Sequence, residues 1–162
     1  MIRILAALAF AACFSDLAAA QDAGQIARVQ AGQSCPGCNL FQADLAYLDL
    51  PGIDVSGARL RQANLALVTM NHARFDGTDL SISNLFGGRF TGASFRNANL
   101  TRANLVGAHF GSANFAGANL NGATLSGAEL GSARGLTQSQ LSSACGDAST
   151  QLPRGLTVPA CR

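Results

Sequence analysis

From Cys38 to Leu130 an apolar residue recurs at every fifth position without a slip: Leu40, Leu45, Leu50, Val55, Leu60, Leu65, Met70, Phe75, Leu80, Leu85, Phe90, Phe95, Leu100, Leu105, Phe110, Phe115, Leu120, Leu125 and Leu130. Two residues before each lies a second slot that is mostly small, with Ala in twelve of its nineteen places. The residue between the slots is polar throughout, as in Asp44, Asn64, Arg89, Asn104 and Glu129. A period of five fits neither an amphipathic helix nor a flat, half-buried strand. Self-similarity at a fixed interval instead predicts a solenoid, in which each unit buries its apolar face only by stacking on its neighbours.

A longer period supports this reading. Taking every fourth centre, Leu40, Leu60, Leu80, Leu100 and Leu120 are all leucine, and so are Leu45, Leu65, Leu85, Leu105 and Leu125. The aromatic centres fall on the two remaining tracks, Leu50-Met70-Phe90-Phe110-Leu130 and Val55-Phe75-Phe95-Phe115. A four-sided coil of twenty residues that stacks like on like produces this sorting. The small slot compensates for volume: Leu48 and Val68 stand beside Leu50 and Met70, whereas Gly88 and Ala108 stand beside Phe90 and Phe110. Close-packed interiors require such exchanges.

The run Ala98-Asn99-Leu100-Thr101-Arg102-Ala103-Asn104-Leu105 resembles the pentapeptide repeat, and the resemblance extends over about 95 of the 162 residues. It implies an all-β solenoid, a right-handed quadrilateral β-helix of about five coils. Ile53, Val55, Val68 and Met70 depart from the commonest repeat residues and predict a less regular first half. With strands about 4.8 Å apart, such a rod is only about 23 Å long, and its dry core is too narrow to hold a ligand.

The flanks divide the rest of the chain. Residues 1–20 begin with Arg3, continue through an apolar run to Cys13 and end Leu17-Ala18-Ala19-Ala20, the layout of a secretory signal peptide cleaved after Ala20. The rival is a lipoprotein signal that anchors the chain through acylated Cys13. Phe10 is an unusual opening for that box, and Cys13 comes early. No other run is long and apolar enough to span a bilayer. Residues 21–34 read either as a cap over the first coil or as a free leader; 35–134 form the solenoid. In 135–162, Thr137 to Gln140 reads as a capping box opening a short helix to about Cys145, stopped by Gly146-Asp147, that places Leu136, Leu141 and Ala144 on the last coil. Pro153, Gly155 and Pro159 exclude a long helix beyond it. A cysteine-bearing tail of this kind is similar to a family end cap.

Removal of residues 1–20 leaves four cysteines, an even number in an exported chain, which argues for disulfides. The solenoid separates Cys35 and Cys38 from Cys145 and Cys161, so those are the expected pairs. Cys35-Pro36-Gly37-Cys38 suits a type II turn, whose ends lie within disulfide reach. A redox-active pair is the sharper alternative, but it ordinarily needs a helix N-terminus to stabilise the thiolate. A zinc site is disfavoured, because Cys145 and Cys161 lie beyond the far end of the rod and neither His72 nor His109 has ligand spacing.

Function therefore falls to the outward positions. The rod carries seven Arg and six acidic residues and the chain has no Lys, which does not make a nucleic-acid stripe. It also disfavours the role best known in the family, an acidic rod that mimics DNA and occupies a type II topoisomerase. Columns twenty apart pair Arg59 with Asp79, Asp54 with Arg74 and Asp76 with Arg96, while Asp44, Asn64, Asn84 and Asn104 form an amide ladder. Arg89, His109 and Glu129 share a column that reads as a solvated ladder, with a weak anion or metal site as the sharper alternative. Ala46, Ala66, Phe86 and Val106 form an apolar column beside Tyr47 and Leu67, with Ile82 and Phe41 on the neighbouring side. Either the N-terminal arm or irregular early coils bury this group, or Tyr47, Leu67, Phe86 and Val106 are a contact surface for a protein partner or a second copy. No set of titratable groups converges as catalysis requires, and no cofactor is implied. The expectation is a non-enzymatic, periplasmic or secreted structural or binding module.

Overall fold

The computed structural model describes residues 21–162. The reading of residues 1–20 as a signal peptide, cleavage after Ala20 and the rival lipid anchor at Cys13 lie outside the described residues.

Parallel bridges join the outward residue of one repeat to the outward residue twenty positions later, from Asn39↔Arg59 through Asn64↔Asn84 and Asn99↔Asn119 to Asn114↔Arg134. Each rung exchanges two bonds: at Asn64↔Asn84 the Asn84 N–H donates to the Ala63 carbonyl at 2.9 Å, and the Leu65 N–H donates to the Asn84 carbonyl at 2.7 Å. The extended stretch on each side is so short that it makes a single bridge before the chain turns. The four bridge columns close into a β-helix solenoid.

The corners are part of the same ladder. The N–H of the second turn residue donates along the rod to the first turn residue of the next coil, as from Leu67 to Phe86 at 2.8 Å and from Gly87 to Val106 at 2.9 Å. Holding this geometry requires positive φ at the second turn residue, which glycine supplies at many corners. Nine other residues adopt it without being glycine, among them Tyr47 at 63°, Leu67 at 56° and Ile82 at 59°.

Both slots point inward. Leu40, Leu60, Leu80, Leu100 and Leu120 are buried, as are the other centres and nearly all the small-slot residues. The aromatic tracks form two stacks: Phe75, Phe95 and Phe115 lie face to face at 4.8 and 5.0 Å, and Phe90 and Phe110 at 5.4 Å. The stacks meet edge to face, as between Phe95 and Phe110 at 5.7 Å, an arrangement the ring quadrupoles favour. Gly88 is empty for a reason: a Cβ there would stand 2.6 Å from the Phe90 ring. Thr78 and Ser83, the polar residues in small slots, donate to the Val55 and Leu80 carbonyls. Regularity extends into the first half, where Ile53, Val55, Val68 and Met70 are all buried.

Each end is covered. Helix α1, Ala23–Gln30, is capped by the Asp22 side chain, which accepts from the Gln25 N–H, and it buries Val29 on the first coil. Helix α2, Gln138–Ser142, has the expected capping box of Thr137 and Gln140 and buries Leu141. It is shorter than expected. Instead of continuing to Cys145 the chain leaves the helix at Ser143, whose carbonyl accepts from the Gly122 N–H, so that Cys145 can lie extended beside Thr124.

The aromatic stacks make a prediction about stability. Phe95→Ala removes the middle ring of one stack and should cost about 3–5 kcal/mol, read as a loss of urea-unfolding free energy. A cost below ~1 kcal/mol would be incompatible with this packing.

Candidate interaction surface

Because the core is filled, chemistry is confined to the outward columns and corners. The described residues enclose no cavity. They contain no cluster of three or more potential metal ligands and no helix long and apolar enough to cross a membrane.

Most charged groups are engaged within the rod. Arg74 bridges Asp54 at 3.2 Å and Asp76 at 3.8 Å. Asp76 also accepts from the Ser94 hydroxyl. The expected Asp76–Arg96 pair is therefore corrected: the carboxylate at this corner turns to the adjacent column, to Arg74 on its own coil and Ser94 on the next, and no ion pair joins it to Arg96 among the described residues. Asp79, opposite Arg59 in the bridge register, accepts from the Asn99 amide at 3.1 Å and the Ser81 N–H at 3.0 Å. The Arg59 guanidinium lies over the Phe41 ring at 4.8 Å. The amide ladder runs from Asp44 to Asn104, with each amide donating to the rung below at 3.1–3.4 Å. His109 Nδ1 meets Glu129 at 2.8 Å in a half-exposed pair. Arg89, on the same column, has no salt bridge among the described residues.

The apolar group is exposed. Tyr47 is 77% accessible, Phe86 46%, Leu67 45% and Ile82 38%, while Val106 is half-buried. Helix α1 does not cover them. It lies across the end of the rod, where Gln21 reaches the Gln42 carbonyl, Gln25 accepts from the Asn39 N–H and Gln30 reaches the Asp44 carbonyl. Tyr47, Leu67, Phe86 and Val106 thus form a ridge along one corner, between the amide ladder and the column Asp49-Thr69-Arg89-His109-Glu129. Leu67 folds down over Gly87, whose absent Cβ would meet it at 2.7 Å. Ile82 stands apart at the neighbouring corner.

Three of these exposed side chains occupy the left-handed region. A non-glycine residue there costs on the order of 1–2 kcal/mol, and a β-branched one such as Ile82 is an outlier. Spacing alone could have shown this, since the apolar residues at 47, 67 and 82 fall on the second turn position of a five-residue frame.

The cysteines staple both ends. Cys35 and Cys38 are disulfide-bonded across a turn with Cα atoms 5.5 Å apart, and Cys35 is buried. Cys145 and Cys161 are bonded with Cα atoms 4.8 Å apart. Asp147 ties the same tail to the rod. Hydrogen bonds from the Ser149 hydroxyl, and also from the Ser149 and Gly127 N–H groups and the Thr150 hydroxyl, lower its pKa from 3.8 to about 2. Sequence reasoning used Asp147 only as a helix stop and did not see its tie to the rod, although Asp-Ala-Ser-Thr after a glycine is a local turn signal.

The sequence profile of pentapeptide repeats matches this chain in eight copies, over residues 38–85, 63–102, 82–115 and 103–134. Among solved structures, a pentapeptide repeat protein from the Arabidopsis thaliana thylakoid lumen is 33% identical over 63% of this chain and 71% of its own, with a TM-score of 0.41. A pentapeptide repeat protein from Nostoc is 25% identical over 85% and 88%, with a TM-score of 0.48. QnrB1, a plasmid-mediated fluoroquinolone resistance protein, is 23% identical over 79% and 81%, with a TM-score of 0.36. No curated protein matches the chain.

Two outcomes are expected from these sites. Tyr47→Asn keeps the backbone bonds, relieves the left-handed strain and loses little burial, so it should raise unfolding free energy by about 0.5–1 kcal/mol in urea. The depressed pKa of Asp147 gives stability that is complete above the ordinary carboxylate range and disappears as pH falls from 4 toward 2. Hydrogen exchange of the tail amides should accelerate across that window, and Asp147→Asn should flatten the dependence while leaving the tail looser at neutral pH.

Proposed function

Since the chain belongs to the pentapeptide repeat family, we propose that it is a non-enzymatic binding module: a right-handed, four-sided rod of about five coils whose outer surface is offered to a protein partner. Residues 1–20 are its export signal, 21–34 its N-terminal cap, 35–134 the rod and 135–162 the C-terminal cap. The ridge of Tyr47, Leu67, Phe86 and Val106 is the observation that carries this reading. A monomeric rod has no need of four large apolar groups on adjacent coils, and two of the four sit in a strained backbone conformation. The pairing of Cys35 with Cys38 and of Cys145 with Cys161 supports an address outside the reducing cytoplasm, periplasmic or secreted.

A topoisomerase-directed DNA mimic is the alternative within the family. It asks for a continuous anionic face, whereas here Arg74 pairs with Asp54 and Asp76, and the column above Asp44 is a ladder of uncharged amides.

A photoreactive side chain in place of Phe86, with one in place of Arg96 on the opposite corner as control, tests the surface in the native compartment. Cross-linked product is expected from position 86 only. Equal or absent cross-linking at both would overturn the reading. A fusion of residues 1–30 to a reporter active only after export should be active; a cytoplasmic signal would remove the address.

A further inference from the structure

Asp49 is the rod carboxylate left without a side-chain partner among the described residues, and Arg89, like Arg61, Arg96 and Arg102, is an arginine without one. Asp49 and Arg89 are both exposed. They share one column, with Thr69 between them, through the bridges Asp49↔Thr69 and Thr69↔Arg89. At two rungs they are roughly 10 Å apart. The apolar ridge runs directly beside them, with Tyr47 next to Asp49, Leu67 next to Thr69 and Phe86 next to Arg89. On the other flank lie Asp44, Asn64 and Asn84.

We infer that this corner binds a second copy of the chain in antiparallel register, with a two-fold axis passing at the level of Leu67 and Thr69. The inference rests on the ridge being a contact surface and names its occupant. A two-fold axis lying across the rod reverses the order of the rungs and keeps each column facing its own counterpart. Asp49 of one copy then faces Arg89 of the other, and the reciprocal pair forms on the opposite side of the axis. Tyr47 meets Phe86, Leu67 meets Leu67 and Thr69 meets Thr69. Along the amide ladder, Asn64 faces Asn64 and Asp44 faces Asn84. An amide both donates and accepts, so it is complementary to its own copy where a charge is not. No like charges meet in this register. A parallel side-by-side pair, with its two-fold axis along the rod, would instead lay this column on the amide ladder, setting Asp49 against Asp44 and Arg89 against the neutral Asn84, so that like charges meet and no opposite charges do.

Three rungs and their two flanking columns bury roughly 300 Å² per copy, against about 800 Å² in a standard interface. The dimer is therefore weak and concentration-dependent, forming where the protein is crowded.

Sedimentation of the chain from residue 21 onward, from micromolar to about millimolar concentration, tests this. Self-association should appear in the upper part of that range. Asp49→Arg and Arg89→Asp should each weaken it at least tenfold, and the double exchange should restore it to within about threefold. Tyr47→Asn should lose the dimer while gaining stability, which separates contact from folding. A chain that stays monomeric throughout overturns the inference. So does a dimer indifferent to all three positions. Should the chain stay monomeric while position 86 cross-links to a different protein, the occupant named here is wrong and the surface itself stands.

Discussion

The rod depends on one constraint: every residue must lie over the residue twenty places further along the chain. The parallel ladder enforces it, because each outward residue donates and accepts along the axis and the turn N–H groups do the same. Inside, the same interval sets ring on ring and leucine on leucine, so a change at one level is felt by the levels above and below. Stability in such a structure is a sum of nearest-neighbour contacts. The interior is consequently committed to packing, and selection for function can act only on the outward columns and corners.

The corners show what that freedom costs. A glycine at the second turn position satisfies the ladder without strain, and Gly77, Gly107 and Gly127 do so. Where Tyr47, Leu67 and Ile82 replace it, the chain accepts an unfavourable φ and exposes apolar surface in the same residue. Two unfavourable choices at one position, repeated on adjacent coils, have no explanation in the packing. As contact residues of the proposed binding module they would be well placed, because a side chain at the corner reaches furthest from the axis.

Much of this was legible in the sequence because the period leaves so little freedom. Leu100 is buried for the same reason as Leu80 and Leu120, and Gly88 is small because Phe90 is large. The capping box at Thr137 was equally local and equally readable. Where contacts depend on rotamers, the register was insufficient. Columns twenty apart suggested Asp76 with Arg96, yet a corner carboxylate can swing toward the adjacent column, to Arg74 on its own coil and Ser94 on the next. The end of α2 escaped for another reason: it is set by the tail's need to add one further extended stretch to the rod, a tertiary demand that no local signal records. The position of α1 over the end, which leaves the ridge uncovered, was likewise a matter of three glutamines finding first-coil backbone groups.

A solenoid with open ends would polymerise, since its terminal coils present unpaired backbone groups to any copy that arrives in register. Both ends of this rod work against that outcome by different means. At the first coil, Gln25 accepts from the Asn39 N–H, Ser34 accepts from the Asp54 N–H and Gln30 reaches the Asp44 carbonyl, with Asp44 and Asp49 charged at the rim. At the far end the tail continues the ladder itself: Leu125 donates to Cys145 and Leu130 to Gln151. Gln140 meanwhile covers the Phe115 and Ala118 carbonyls. The tail is then folded back through Cys161 and interrupted by Pro153 and Pro159, which offer no N–H to a further strand. With end-to-end growth closed off in both directions, association is left to the sides of the rod, and among the sides the described residues combine a continuous apolar ridge with unpaired opposite charges at the corner of Leu67.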